Sequence, residues 1–171
     1  SGELDLAALE RAVSDVVTRH EVLRTVFPDS VDGPHQVIVG VDEVVGELPP
    51  VELAEAAVAT VLRDFVLAPF DVAQSVPLRV ALYRLSAQEH ILAFVVHHIC
   101  GDGVSTGPLA RDVMMAYLAR SGGEEPGWEP LPVQYADYTL WQRDVLGDEN
   151  EPESLAAQQI EHWRTNLAGL P

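Results

Sequence analysis

The stretch AFVVHHICGDGVSTGPLARDV runs from Ala93 to Val113 and ends an apolar run in two adjacent histidines. It then turns through Asp102, between Gly101 and Gly103, into a segment where Leu109, Val113, Met114, Tyr117 and Leu118 recur at helical spacing, with Pro108 suited to the first turn. The pattern is strand, turn, helix. Successive strand side chains point to opposite faces, so His97 and His98 do not reach one point: one looks into a cleft, the other into packing. That split, and the lack of a Glu at metalloprotease spacing, argue against a metal site. The bland reading is that both are hydrogen-bonded residues at a strand end. Against it stand the strand-to-helix handover, where helix N–H groups and side chains converge on ligands, and Asp102, which can orient an imidazole or anchor the turn through a buried cation. Gly101 and Gly103 allow a tight bend and close approach to the backbone.

Outward from this stretch, HILAFVVHH (His90 to His98) and PLRVALYRL (Pro77 to Leu85) flank the short SAQE, which predicts an antiparallel hairpin. The nearly all-apolar second strand is expected to be buried on both faces. Upstream, Leu6, Leu9, Val13, Val16 and Val17 predict an amphipathic helix over Asp5 to His20. EVLRTVF and HQVIVG read as two strands joined by a loop, followed by an extended connection and a helix from Glu52 to about Leu67, stopped by Pro69. Downstream, Ser121 to Pro132 is a Gly, Pro and Glu-rich loop, and two more helices flank the acidic GDENE, with Tyr138 and Trp141 at i, i+3 spacing read as core aromatics. The expected class is α/β, an α+β sandwich with a mostly antiparallel or mixed sheet flanked by helices.

The 171 residues, 47% hydrophobic, suffice for one sizeable core, in one domain or a large piece of one. With 10 Lys and Arg against 27 Asp and Glu, the net charge of −17 repels a phosphate backbone and an anionic bilayer, so neither nucleic acid nor membrane is expected as a partner. The single cysteine, Cys100, excludes an internal disulfide framework and fits a reducing compartment. No apolar run approaches the roughly 18 to 20 residues of a membrane span, and SGELDLAALE has no signal-peptide pattern. The expectation is a soluble, cytoplasmic protein.

HHICGDG matches His-His-x-x-x-Asp-Gly and resembles the signature of nonribosomal peptide synthetase condensation domains, of the chloramphenicol acetyltransferase-like superfamily. RHEVLRTVF (Arg19 to Phe27) resembles the family's second core motif and YADYTLW (Tyr135 to Trp141) its fourth, while PFDVAQSVPLRVAL and HWRTNLAGLP fall in family order. The first core motif and the second lobe of this V-shaped family have no counterpart. The resemblance therefore implies that residues 1–171 are an N-terminal lobe, inactive alone, cut from a larger modular protein.

What the resemblance implies chemically is amide-bond formation between a donor acyl or peptidyl thioester and the α-amine of an acceptor aminoacyl thioester. Both substrates ride on phosphopantetheine of donor and acceptor carrier domains, with no cofactor bound directly; the missing C-terminal lobe and neighbouring synthetase domains complete the partners. His98 takes the catalytic role, either removing a proton or positioning the amine, and the Gly103 N–H is an oxyanion donor. His97 packs, and Asp102 is architectural, pairing with Arg19 or Arg24 in a buried ion pair. Arg19 and Arg24 are otherwise read as surface charges, and Cys100 as an incidental small residue. The stretch from Leu131 to Ser154 with the histidine motif is similar to the subtype taking a D-configured donor and an L-configured acceptor. Two rivals stand beside this: a non-catalytic, condensation-like recruitment module, and a coenzyme A-dependent acyltransferase of the same superfamily.

Overall fold

The Asp5 carboxylate accepts the Ala8 N–H at 2.9 Å, satisfying one of the donors a helix start leaves open. The helix it caps, α1 (Leu6–Arg19), buries Ala8, Leu9, Ala12, Val13, Val16 and Val17 along one stripe, as its spacing predicts. Each fully buried Val or Leu contributes about 1.5–3 kcal/mol relative to exposure. This computed structural model describes residues 2–170. The chain forms two compact units, Ser1–Leu131 and Pro132–Pro171.

In the first unit α1 packs on α3 (Thr106–Ser121), and Ala12, Val13, Val16, Val17, Leu23, Leu78 and Ala116 form the core. The expected strand over Glu21 to Phe27 is a 3-10 turn, Glu21–Arg24, followed by the two-residue β1 (Thr25–Val26), antiparallel to β2 (Val37–Ile38). Local bonds override strand propensity there: Thr25 Oγ1 donates to the Glu21 carbonyl at 2.8 Å, and the Leu23 N–H to the His20 carbonyl at 3.0 Å.

The second sheet runs β3-β4-β5, with β3 (Val51–Glu52) parallel to β4 (Leu78–Ser86) and β4 antiparallel to β5 (Glu89–Val96). The second helix, α2 (Val58–Leu67), follows a 3-10 turn, Glu55–Ala57, so it starts later than expected. Leu78 and Val80 face the core, as do their partners Val96 and Phe94. Arg79 and Tyr83 face the other way, where Phe65 of α2 meets both, 5.8 Å from the Arg79 guanidinium and 6.3 Å from the Tyr83 ring. The expectation that β5 is buried on both faces fails: Ile91 to Val96 are only half-buried, because β5 is the outermost strand of its sheet.

The second unit consists of α4 (Tyr135–Leu146) and α5 (Leu155–Asn166), with no buried residue among those described. Tyr138 and Trp141 are therefore not core aromatics within their unit. They are 41% and 59% exposed and meet at a tilt of 39° with ring centroids 5.7 Å apart, because a two-helix hairpin has no third layer to enclose them. Among the described residues no helix is long and apolar enough to cross a membrane.

Candidate active site

Strand β5 stops at Val96, and the His97 N–H extends the ladder one step by donating to the Pro77 carbonyl at 2.9 Å. The two imidazoles part here. The half-buried His97 ring meets Phe70 edge-on at 5.6 Å, and its Nδ1 accepts the Ile99 N–H at 3.0 Å. His98 is exposed, in a turn closed by the Cys100 N–H donating to the His97 carbonyl at 3.1 Å. Among the described residues nothing hydrogen-bonds to its ring.

Asp102 is not in a buried ion pair with Arg19 or Arg24. It is exposed, and its Oδ1 accepts the Val104 N–H at 3.0 Å, the Ser105 N–H at 2.9 Å and the Ser105 hydroxyl at 2.8 Å. These are the bonds of an aspartate-closed turn, and they satisfy amides of the residues that lead into α3. The Ser105 hydroxyl and amide, then the Val104 amide and the charge of His98, hold the carboxyl below its ordinary value. Aspartate at this spacing reaches its own next turn first; short-range bonds win over a distant cation.

The cations anchor elsewhere and are not surface charges. Arg19, with a side chain 13% exposed, places Nε 3.1 Å from Asp112 Oδ2, donates Nη1 to the Glu129 carbonyl at 2.7 Å and lies over Trp128 at 4.8 Å. His20 Nε2 lies 2.9 Å from the same oxygen, and Arg111 donates to Asp112 Oδ1 at 3.1 Å. Burial of Asp112 would raise its pKa; bonds from His20 and Arg111 and the charges of His20 and Arg19 outweigh that and lower it. Arg24 donates to the Val39 carbonyl at 2.6 Å and to Glu21 at 3.3 Å, bracing β1 and β2. Sequence reasoning missed Asp112, although a signal existed: an acid among Leu109, Val113 and Ala116 on an apolar helix face must bring a cation with it.

Gly103 is exposed, and its N–H has no acceptor among the described residues. Neither Gly101 nor Gly103 has a positive φ, so the bend does not require glycine for its backbone angle. What Gly103 leaves is room, since a Cβ there would meet nothing within 4 Å. The Cys100 thiol donates to the His97 carbonyl at 3.2 Å, and burial pushes its pKa up to about 11, leaving no thiolate near neutral pH.

With this geometry in view, a family model described as Condensation domain matches residues 1–171. The chain belongs to the condensation-domain family. This condensation-domain chain is 48% identical over its whole length to a probable non-canonical nonribosomal peptide synthetase, CymA, of Salinispora arenicola, and 45% identical to a dimodular nonribosomal peptide synthase of Bacillus subtilis. It spans 2% and 7% of those relatives' lengths. Among solved structures, the X-domain from teicoplanin biosynthesis superposes with a TM-score of 0.91 at 40% identity, over 99% of this chain and 37% of that one. The starter condensation domain of rhizomide synthetase RzmA superposes at 0.79 and 22% identity, over 99% of this chain and 40% of that one, a likeness of fold. The expected α/β, chloramphenicol acetyltransferase-like class is the fold of these neighbours. Condensation domains of nonribosomal peptide synthetases are amide-forming acyltransferases.

Proposed function

We propose that this chain is the N-terminal lobe of a longer condensation domain and carries its catalytic turn for peptide-bond formation between carrier-bound thioesters. The observation that carries the reading is His98: exposed and without a hydrogen bond to its ring, on a turn that His97 and Asp102 hold through the Ile99, Cys100, Val104 and Ser105 amides and that leaves the Gly103 N–H open. The acceptor α-amine, with a reference pKa near 8, is kept neutral and aimed by His98. Its nitrogen attacks the donor thioester carbonyl, forming the C–N bond, and the developing oxyanion is held by the Gly103 N–H. The C–S bond then breaks, and the proton lost by the amine ends on the departing phosphopantetheine thiolate. His97, Asp102, Arg19 and Arg24 support this turn and the scaffold beneath it. The donor is D-configured and the acceptor L-configured, the single cysteine suits a cytoplasmic setting, and carrier domains on both sides are the partners. No cofactor joins the reaction directly.

In the full-length domain, His98→Ala should lower condensation about 10²- to 10⁴-fold with melting unchanged. A variant that condenses at the wild-type rate sinks the reading. A second reading, recruitment without chemistry, draws on the teicoplanin X-domain, 40% identical to this chain and solved in complex with OxyB. It predicts that outcome for His98→Ala at whatever low rate the wild type shows. Turnover of coenzyme A thioesters in place of carrier-bound ones would favour a free acyltransferase.

A further inference from the structure

His98 makes no bond of its own, so its direction is inherited from the turn, and the turn is fixed by His97 through the Ile99 and Cys100 amides. What fixes His97 lies on the far face of the sheet. Arg79 pairs with Val95 across β4 and β5, and His97 stands two residues beyond Val95, hence on the face that carries Arg79. Phe70 fills the space between them: the Arg79 guanidinium sits 3.8 Å from the Phe70 centroid, and the same ring meets His97 at 5.6 Å and 80°.

Arg79 is itself immobilised. Its Nη2 donates to the Phe65 and Ala68 carbonyls at 3.1 and 2.7 Å and its Nη1 to the Pro69 carbonyl at 3.0 Å, collecting acceptors that the C-terminal end of α2 leaves open. Its Nε is buried without a hydrogen-bond partner, so the planar group is held for the carbonyls and the ring together. A lysine has one point charge and cannot span three carbonyls while lying flat on the ring.

Resting on the catalytic reading of His98, we propose that Arg79 is a positioning residue for that histidine, acting through Phe70 and His97. None of the three touches substrate; they set where the His98 ring points.

The test is a double-mutant cycle on the full-length domain with carrier-bound substrates. Phe70→Leu removes the ring but none of the Arg79 hydrogen bonds, and should lower kcat about 10²-fold with the acceptor KM unchanged, the cost of misplacing a reacting group by about 1 Å. Phe70→Tyr should restore most of the rate. Arg79→Lys should lose a comparable factor, and the double variant should be no slower than the slower single, because the two act in series. The His97 ring-proton NMR signals should move in both single variants. Wild-type kcat in Phe70→Leu, losses that multiply in the double variant, or a raised KM in place of a lowered kcat would each overturn the proposal. Should Arg79→Lys fail to fold, Phe70→Leu and Phe70→Tyr decide it alone. Wild-type kcat in Phe70→Leu beside an inactive His98→Ala refutes only the positioning; an active His98→Ala refutes the catalytic reading beneath it.

Discussion

Asp102 and Asp112 stand in one strand-turn-helix stretch, yet they are held in opposite ways. The Asp112 side chain, on α3, is 4% exposed where α3 packs on α1, facing Arg19, His20 and Arg111. Asp102 is exposed and spends its carboxylate on Ser105 and Val104, its immediate neighbours. A buried carboxylate that joins two helices sets the scaffold, whereas an exposed one that closes its own turn sets only local shape. Stability and site geometry therefore rest on different acids, and substitutions can separate them.

Asp112→Ala should have the largest effect, about 3–5 kcal/mol lost in urea unfolding, because the largely buried Arg19 guanidinium and the His20 ring lose the acceptor they share at a buried site. A loss similar to that of an exposed acid would break the contrast. Leu82→Ala, at a residue 2% exposed, should cost about 2–5 kcal/mol by cavity formation in the same unit, and serves as the apolar yardstick.

A pH series sharpens the comparison further. The folded pKa of Asp112 lies below its ordinary 3.8, so its contribution is complete above that value and is lost as pH falls through the folded pKa. The urea midpoint should hold down to roughly pH 5 and then drop, and Asp112→Asn should flatten that acid limb. Asp102→Ala should barely move the melting curve but speed amide exchange at Val104, whose acceptor it removes, more than at Ser105, which keeps the Asp102 carbonyl. Smallest of all, Cys100→Ala should leave condensation intact in the full-length domain. Its thiol, titrating at about 11, should resist alkylation at neutral pH in the folded protein and react on unfolding.

Much of this was legible beforehand. The α1 stripe, the hairpin and the handover into α3 follow from period and turn chemistry, which act over a few residues. Strand alternation anticipated the parting of His97 from His98, but β5 ends at Val96, short of the expected His98, and it is the turn closed by the Cys100 N–H on the His97 carbonyl that turns His98 out. Less legible were EVLRTVF, whose β-branched residues suggested a strand where local bonds form a 3-10 turn, and β5, whose apolar run suggested a central strand though it lies at an edge. The partner of Asp102 was misassigned because pairing of charges depends on which groups meet in space, and composition does not carry that.

By itself, then, the sequence determined most of the elements, among them the α1 stripe, the hairpin and the strand-turn-helix that presents His98, and the motif HHICGDG through which the family is recognised, because each depends on neighbours within a turn or two along the chain. Tertiary structure decided that Arg19 and His20 meet Asp112, and that Arg79 reaches His97 through Phe70. Those contacts join residues far apart in sequence, and only the packing of helices on each other and on the sheet brings their side chains within reach.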